Sequence, residues 1–343
     1  MSDTTAPASL PAQETPSARP LWQKILKWVL FAVVLVYVSR HLWQMWRDGQ
    51  AHTITVHWGY VLIAIGLFTF SWTPSIFVWR RLLRSCHQET GLTVIAKAFY
   101  IGHFGKYVPG KAMALAIRGW LARDEAGVPM RIGVLTAGYE AIAFMAAGSF
   151  WAMIFLPVGM KRLLNEWQIP DWFWWLWPLL MVILLLISLP VVAQLMNQLS
   201  RKMASQVTDA PPLAIGPWQL LALLAQLSIA WFIKAIALAC LWMGVSSAGA
   251  DLPNMPTCLA AATIANVGGF LVFFAPAGLG PREWLMIEVF SQPGSLSSSQ
   301  IAVITILARL VSFLGEAVGA VIFTLVSPRR AVVPEAHDST PAP

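Results

Sequence analysis

The sequence predicts an all-α polytopic membrane protein with an inverted pseudo-repeat. About six full spans are expected, plus two oppositely oriented re-entrant broken helices, or eight spans if the broken helices cross. Three observations lead there. Hydrophobic residues make up 57% of the 343 residues and charged ones only 11%, against about 25% charged in a soluble domain. Six mostly apolar stretches approach or reach the roughly 20 residues a helix needs to cross hydrocarbon. None alternates apolar with polar residues as a β-barrel strand does. Backbone amides in lipid have no water to bond, so such runs fold as helices.

The elements follow in chain order. Residues 1–20 are rich in Pro, Ala, Ser and Thr and read as a disordered cytoplasmic tail. Residues 21–327 form a single transmembrane domain. Its first span is Ile25–Ser39, extended by Trp22, Trp28, Trp43 and Trp46. Ser39-Arg40-His41 follows where a signal peptide carries small residues, so this span is read as uncleaved. The next spans are Gly59–Val78, Ile132–Gly159, Trp172–Met196, Trp218–Val245 and Ile301–Val326. Residues 328–343 repeat the composition of the first tail. The 18 Trp residues gather near segment ends, as at Trp58, Trp167, Trp172, Trp174, Trp175 and Trp177, which fits interfacial belts.

Basic residues set the orientation. Arg19, Lys24 and Lys27 put the N-terminus in the cytoplasm. Arg80, Arg81 and Arg84, then Arg201 and Lys202, then Arg329 and Arg330 mark the same side. The loops near 160–171 and 246–256 carry no basic excess and read as periplasmic. Two regions break the count. Val94–Ala122 holds Gly102, Gly105, Pro109 and Gly110, and must begin and end inside. Ala260–Phe290 holds Gly268-Gly269, Pro276, Gly278, Gly280 and Pro281, and must begin and end outside. Each precedes a span with an intramembrane charge: Glu140 in one, Arg309 and Glu316 in the other. Paired Gly/Pro-interrupted segments in corresponding halves point to a transport site near the midplane. The plainer alternative is that Pro and Gly only kink ordinary spans.

Ionisable groups within the bilayer cost about 2.5–3.5 kcal/mol each on insertion scales and are paired or face a cavity. Glu140, Lys234, Arg309 and Glu316 are such groups. Arg309 and Glu316, seven residues apart, share a helix face. Glu140 and Lys234 are expected to neutralise them across helices, and buried pairs of this kind also exist without function. The broken helices offer freed amides and a positive dipole end to a phosphate. Lys111 and Arg118 share a face after Pro109-Gly110. Arg282 follows the Gly278 and Gly280 amides, and Glu283 is placed to hold a basic neighbour. Lys106 and Arg123 suit anionic headgroups at the cytoplasmic surface.

Other chemistries find no support. The net charge of +7 comes from Lys and Arg at span ends, which argues against a nucleic-acid partner. The six His show no metal spacing, and the three Cys no paired spacing. No Walker loop and no GxSxG elbow occur. No cofactor and no catalytic residue is assigned.

The ordered set Pro109-Gly110, Arg118, Glu140, Pro276, Gly278, Gly280, Arg282, Glu283 and Arg309 resembles the transmembrane region of lysylphosphatidylglycerol synthase, a family of flippase-like membrane proteins. The likeness covers roughly residues 20–327. Ala277 stands where the family usually has Gly, and Ala141 where an Arg often follows the Glu. The namesake's soluble aminoacyl-transfer domain has no counterpart before Pro343, so that activity is not carried over. The resemblance implies a multi-pass inner-membrane protein that moves a phosphate-headgroup lipid between leaflets, with anionic lipids as partners. It also allows an enzyme, or an accessory subunit working with a lipid-modifying enzyme, in lipid-linked sugar or hopanoid pathways.

Overall fold

A computed structural model describes residues 54–107, 112–160, 170–204, 214–246, 252–272, 278–291 and 296–327. Among them every regular element is a helix. Five stretches are long and apolar enough to cross a membrane: Trp58–Ser85, Met130–Ile154, Trp172–Gln198, Pro217–Val245 and Ser298–Val326. They are the second to sixth expected spans. The expected first span, Ile25–Ser39, and both expected tails lie outside the described residues.

The first crossing stretch is two helices, α1 (Trp58–Phe70) and α2 (Thr73–Ser85). They break at Ser71-Trp72. The Ser71 hydroxyl donates to the Phe68 carbonyl at 2.7 Å, a local bond that competes with the helix ladder. Pro74 then restarts the helix where its missing N–H is harmless. Next come α3 (Leu92–His103), a tight turn of 3₁₀-helix (Phe104–Tyr107) and α4 (Ala112–Ala126). After them lie α5 (Met130–Ile154), the single turn α6 (Leu156–Gly159), α7 (Asp171–Ala204) and α8 (Pro217–Val245). The chain closes with α9 (Met255–Leu271), α10 (Pro281–Phe290) and α11 (Ser298–Val326). Asn254 caps α9 by accepting from the Thr257 amide, and Ser297 caps α11 by accepting from the Gln300 amide.

Helix α11 is central and α7 is peripheral. Three-fifths of the apolar window of α11 is buried, but barely a fifth of that of α7. Small residues let backbones approach α11, as membrane interfaces require. Gly315 lies against Phe68 and Thr69, and the Thr69 hydroxyl donates to the Gly315 carbonyl at 3.0 Å. Gly319 lies under the Tyr100 ring, where any Cβ would collide. Tryptophan has two roles. Trp58, Trp172 and Trp175 are exposed at helix ends, whereas Trp79, Trp231 and Trp242 are fully buried and build the core.

Two pairs of short helices fold back as antiparallel hairpins. In α3–α4, Lys97 meets Glu125 near the open end at 2.6 Å, while Gly102 abuts Arg118 near the turn. In α9–α10, Gly269 packs on Gly278 and Arg282 near the turn. The arms have 12, 15, 17 and 10 residues. At 1.5 Å per residue they reach about 18, 22, 25 and 15 Å, less than the roughly 30 Å of a hydrocarbon core.

The hairpins approach α11 from opposite ends. On α3, Tyr100 stacks on Phe323 with centroids 5.6 Å apart, and Lys106 reaches back to Glu316. The base of this hairpin therefore lies toward the C-terminal end of α11. At the base of the other, Phe290 packs on Trp242, and Val245 of the same helix accepts from Gln300 at the start of α11. Lys106 from one hairpin and Glu283 from the other thus both reach the middle of α11.

Candidate functional site

Arg309 and Glu316 straddle the centre of α11, about 10 Å apart along the axis. Each is held by a different hairpin. Lys106, on the turn after α3, forms an ion pair with Glu316, whose carboxylate is fully buried. Arg309 pairs at 3.4 Å with Glu283 in the first turn of α10. The other oxygen of Glu283 accepts from the Gly280 amide at 2.7 Å. That capping geometry needs the glycines: Gly278 has φ +71° and Gly280 φ +94°, conformations L side chains avoid.

A third pair lies beside the first hairpin. Arg118 of α4 donates to Glu140 of α5 at 2.7 Å, both almost fully buried. The guanidinium also lies 3.8 Å from the Phe99 ring centroid, and His103 donates from Nδ1 to the Phe99 carbonyl at 3.0 Å. Lys234 of α8 is buried in the same layer. Its ammonium donates to Ser71 Oγ at 2.9 Å, at the break between α1 and α2. Among the described residues this layer holds five cations, Lys106, Arg118, Lys234, Arg282 and Arg309, against three carboxylates, Glu140, Glu283 and Glu316. No group of three or more metal-ligating side chains occurs among the described residues.

The layer surrounds a narrow cleft lined by Phe68, Lys234, Asn266, Arg282, Met286 and Val311. A second, adjoining cleft is lined by Arg282, Glu283, Thr305 and Arg309. The first has room for about one water molecule.

Arg118, Glu140, Arg282, Glu283, Arg309 and Glu316 thus meet in one layer, and residues 24–319 match the model of the lysylphosphatidylglycerol synthase TM region. The chain belongs to this family. No curated protein and no solved structure matches it significantly. As a member of the lysylphosphatidylglycerol synthase TM region family it is a multi-pass membrane protein associated with lipid handling.

Of the candidate residues, Arg118, Glu140, Arg282, Glu283, Arg309 and Glu316 lie in the polar layer, with Gly278 and Gly280 in the turn that enters it. Pro109, Gly110, Lys111 and Pro276 lie outside the described residues. Three expectations need correction. Glu140 is taken by Arg118, and Lys234 feels the charge of Glu316 but makes its direct contacts with a hydroxyl and aromatic rings. Lys106 does not sit at a headgroup surface, because Glu316 draws it inward. The Gly280 amide is not open to a phosphate, because Glu283 caps it. Asn266, Ser71 and Trp72 were not foreseen at the site. Asn266 carried a signal, as an isolated amide within the apolar run of α9.

Proposed function

We propose that this protein translocates a phosphate-headgroup lipid between the leaflets of a bacterial-type inner membrane, with both termini cytoplasmic. One observation carries the reading: two hairpins, too short to span, reach the middle of α11 from opposite ends and are held there by ion pairs. In a bilayer we read the α3–α4 hairpin as entering from the cytoplasmic face and α9–α10 from the other. Irregular backbone at membrane depth is tolerated only where it is buried in protein or lines a cavity. The two turns meet that condition at the polar layer.

The charge pattern suggests how cargo moves. An anionic headgroup is drawn to a layer richer in cations than in carboxylates. Its phosphate competes with Glu316 for Lys106 and with Glu283 for Arg309. Each exchange releases one hairpin from α11 and opens the narrow cleft toward that leaflet. The acyl tails stay in lipid while the headgroup crosses. The cleft described is the closed form, with both hairpins attached.

The test is leaflet exchange in liposomes of stated lipid composition. Full-length protein, and an Arg309→Ala variant of equal monodispersity, are reconstituted with headgroup-labelled lipid, and an impermeant quencher reads the exposed fraction. Exchange above empty liposomes that falls in the variant supports the reading. Absence of exchange for phosphatidylglycerol, phosphatidylethanolamine and an isoprenoid phosphate alike contradicts it.

A further inference from the structure

Lys234 is a buried base at a broken helix. Among the described residues no carboxylate lies within ion-pair distance of it, and its one hydrogen bond goes to Ser71 Oγ at 2.9 Å. Ser71 is the C-cap of α1. The nitrogen therefore sits at the C-terminal end of a half-helix, where the dipole favours a cation. In secondary transporters, half-helix C-terminal ends hold the coupling Na⁺ or H⁺. Here a side chain of the protein occupies that position. Lysine, unlike arginine, can give up its proton when buried.

The surroundings house both forms of the nitrogen. The Ser71 hydroxyl gives its own proton to the Phe68 carbonyl, so its oxygen accepts from an ammonium or an amine alike. The ring centroids of Trp72, Phe68 and Phe144 lie 3.5, 4.3 and 5.6 Å from the nitrogen. Aromatic faces attract a cation and also accept a neutral N–H. The charges that act on Lys234 include Glu316 on α11, the helix that also carries Arg309, Lys106 on the turn after α3, Arg282 on α10 and Glu140 on α5. His103 on α3 packs on the same Trp72 ring, with centroids 4.2 Å apart. Helices α1 and α9 carry no charged residue, α2 carries Arg80, Arg81 and Arg84 in its second half, and α7 has charges only near its ends. The cleft that Lys234 lines has room for about one water molecule, which is enough to pass a proton.

We propose that Lys234 is a proton-coupling site: its nitrogen binds one proton as an anionic cargo enters the polar layer and gives it back to water as the cargo leaves. The amine lone pair takes the proton from water in the cleft as a new N–H bond, and the same bond breaks on release. The electrostatics all run one way. The arriving charge is negative. On the cytoplasmic side it also draws Lys106 from Glu316, which takes a cation away from Lys234 and a direct partner away from Glu316. Each change favours the protonated form, and by linkage the proton favours the cargo in return. This rests on the lipid-translocating reading above and gives it an energy source, with lipid and proton crossing together toward the alkaline side.

The experiment has two arms, both on the full-length protein. Wild type, Lys234→Met, Lys234→Arg and Ser71→Ala are each checked for monodispersity. In detergent, the protons bound per protein are counted by titration across the pH range in which the protein stays monodisperse. Wild type is expected to titrate one proton more than Lys234→Met and Lys234→Arg. Ser71→Ala is expected to hold that proton about tenfold less tightly, for the loss of one charge-assisted bond. In phosphatidylcholine liposomes, a trace of headgroup-labelled phosphatidylglycerol is followed under an imposed difference of about one pH unit. Wild type is expected to enrich the label about tenfold in the leaflet facing the alkaline side. Exchange that remains in either Lys234 variant is expected to end with equal label in the two leaflets. Equal proton counts in wild type and both Lys234 variants overturn the proposal. If neither Lys234 variant folds, Ser71→Ala decides, and an unchanged titration there overturns it equally. Equal label in wild type with exchange intact sinks the coupling and leaves translocation standing. An extra proton at Lys234 without any exchange keeps the proton site and sinks the translocation reading.

Discussion

Lys106 and Glu316 are 210 residues apart in sequence and form one ion pair inside the helical bundle. Their contact ties the turn of the α3–α4 hairpin to the middle of α11. The Arg309–Glu283 pair ties the α9–α10 turn to the same helix from the other end. Helix α11 is thus the common anchor of both hairpins, and the anchors are electrostatic.

The first prediction concerns that anchor. Removing one partner of a buried pair leaves an uncompensated charge and costs about 3–5 kcal/mol. Glu316→Gln and Lys106→Met are each expected to lower the thermal midpoint in detergent. The double variant is expected to lose less than the two single losses added together, because the contact is shared. A double-variant midpoint equal to the sum of the singles would show no coupling.

The second concerns Arg118 and Glu140, 2.7 Å apart and almost fully buried. Glu140→Gln is expected to destabilise by a few kcal/mol, about the cost of a broken buried pair. Arg118→Met with Glu140→Met, which removes both charges, is expected to recover much of the loss. Thermal unfolding of the three variants checks this, and a double variant worse than either single contradicts it.

The third uses two glycines as mutual controls. Gly280 has φ +94°, so Gly280→Ala is expected to cost about 1–3 kcal/mol in backbone strain. It is also expected to disturb the cap that positions Glu283 for Arg309. Gly66 lies in α1 with open space around its Cα, so Gly66→Ala is expected to stabilise by about 0.5–1 kcal/mol. Equal effects at the two sites would count against the strained turn.

The fourth tests hairpin orientation. Glu89, near the open end of α3, and Asn254, at the start of α9, are both exposed. Single cysteines there, in a background with Cys86, Cys240 and Cys258 replaced, are expected to react with an impermeant maleimide from opposite sides of oriented vesicles. Labelling of both from one side rules out hairpins that enter from opposite faces.

Much of the architecture was readable from apolar run lengths. Gly59–Val78, Ile132–Gly159, Trp172–Met196, Trp218–Val245 and Ile301–Val326 all overlap helical stretches long and apolar enough to cross a membrane, since bilayer thickness fixes how long such a run must be. Glycine and proline also marked where Gly278 and Gly280 turn the chain. The charge pairing was not readable. Partner choice depends on helix rotation and on how far a short arm reaches, and neither leaves a pattern in spacing. Glu140 meets Arg118 because α4 folds back beside α5, and Glu316 meets Lys106 because Gly319 lets Tyr100 and α3 pack close to α11. Composition hid the core tryptophans as well. Trp79, Trp231 and Trp242 were not singled out in the sequence but fill the interior.

The most direct measurement is leaflet exchange of phosphatidylglycerol in liposomes holding wild type, Lys106→Glu, Glu316→Lys and the two together. The account predicts that each single reversal abolishes exchange and that the double reversal, which rebuilds the anchor, restores a substantial part of it. Exchange at wild-type rate in a well-folded single reversal would contradict it.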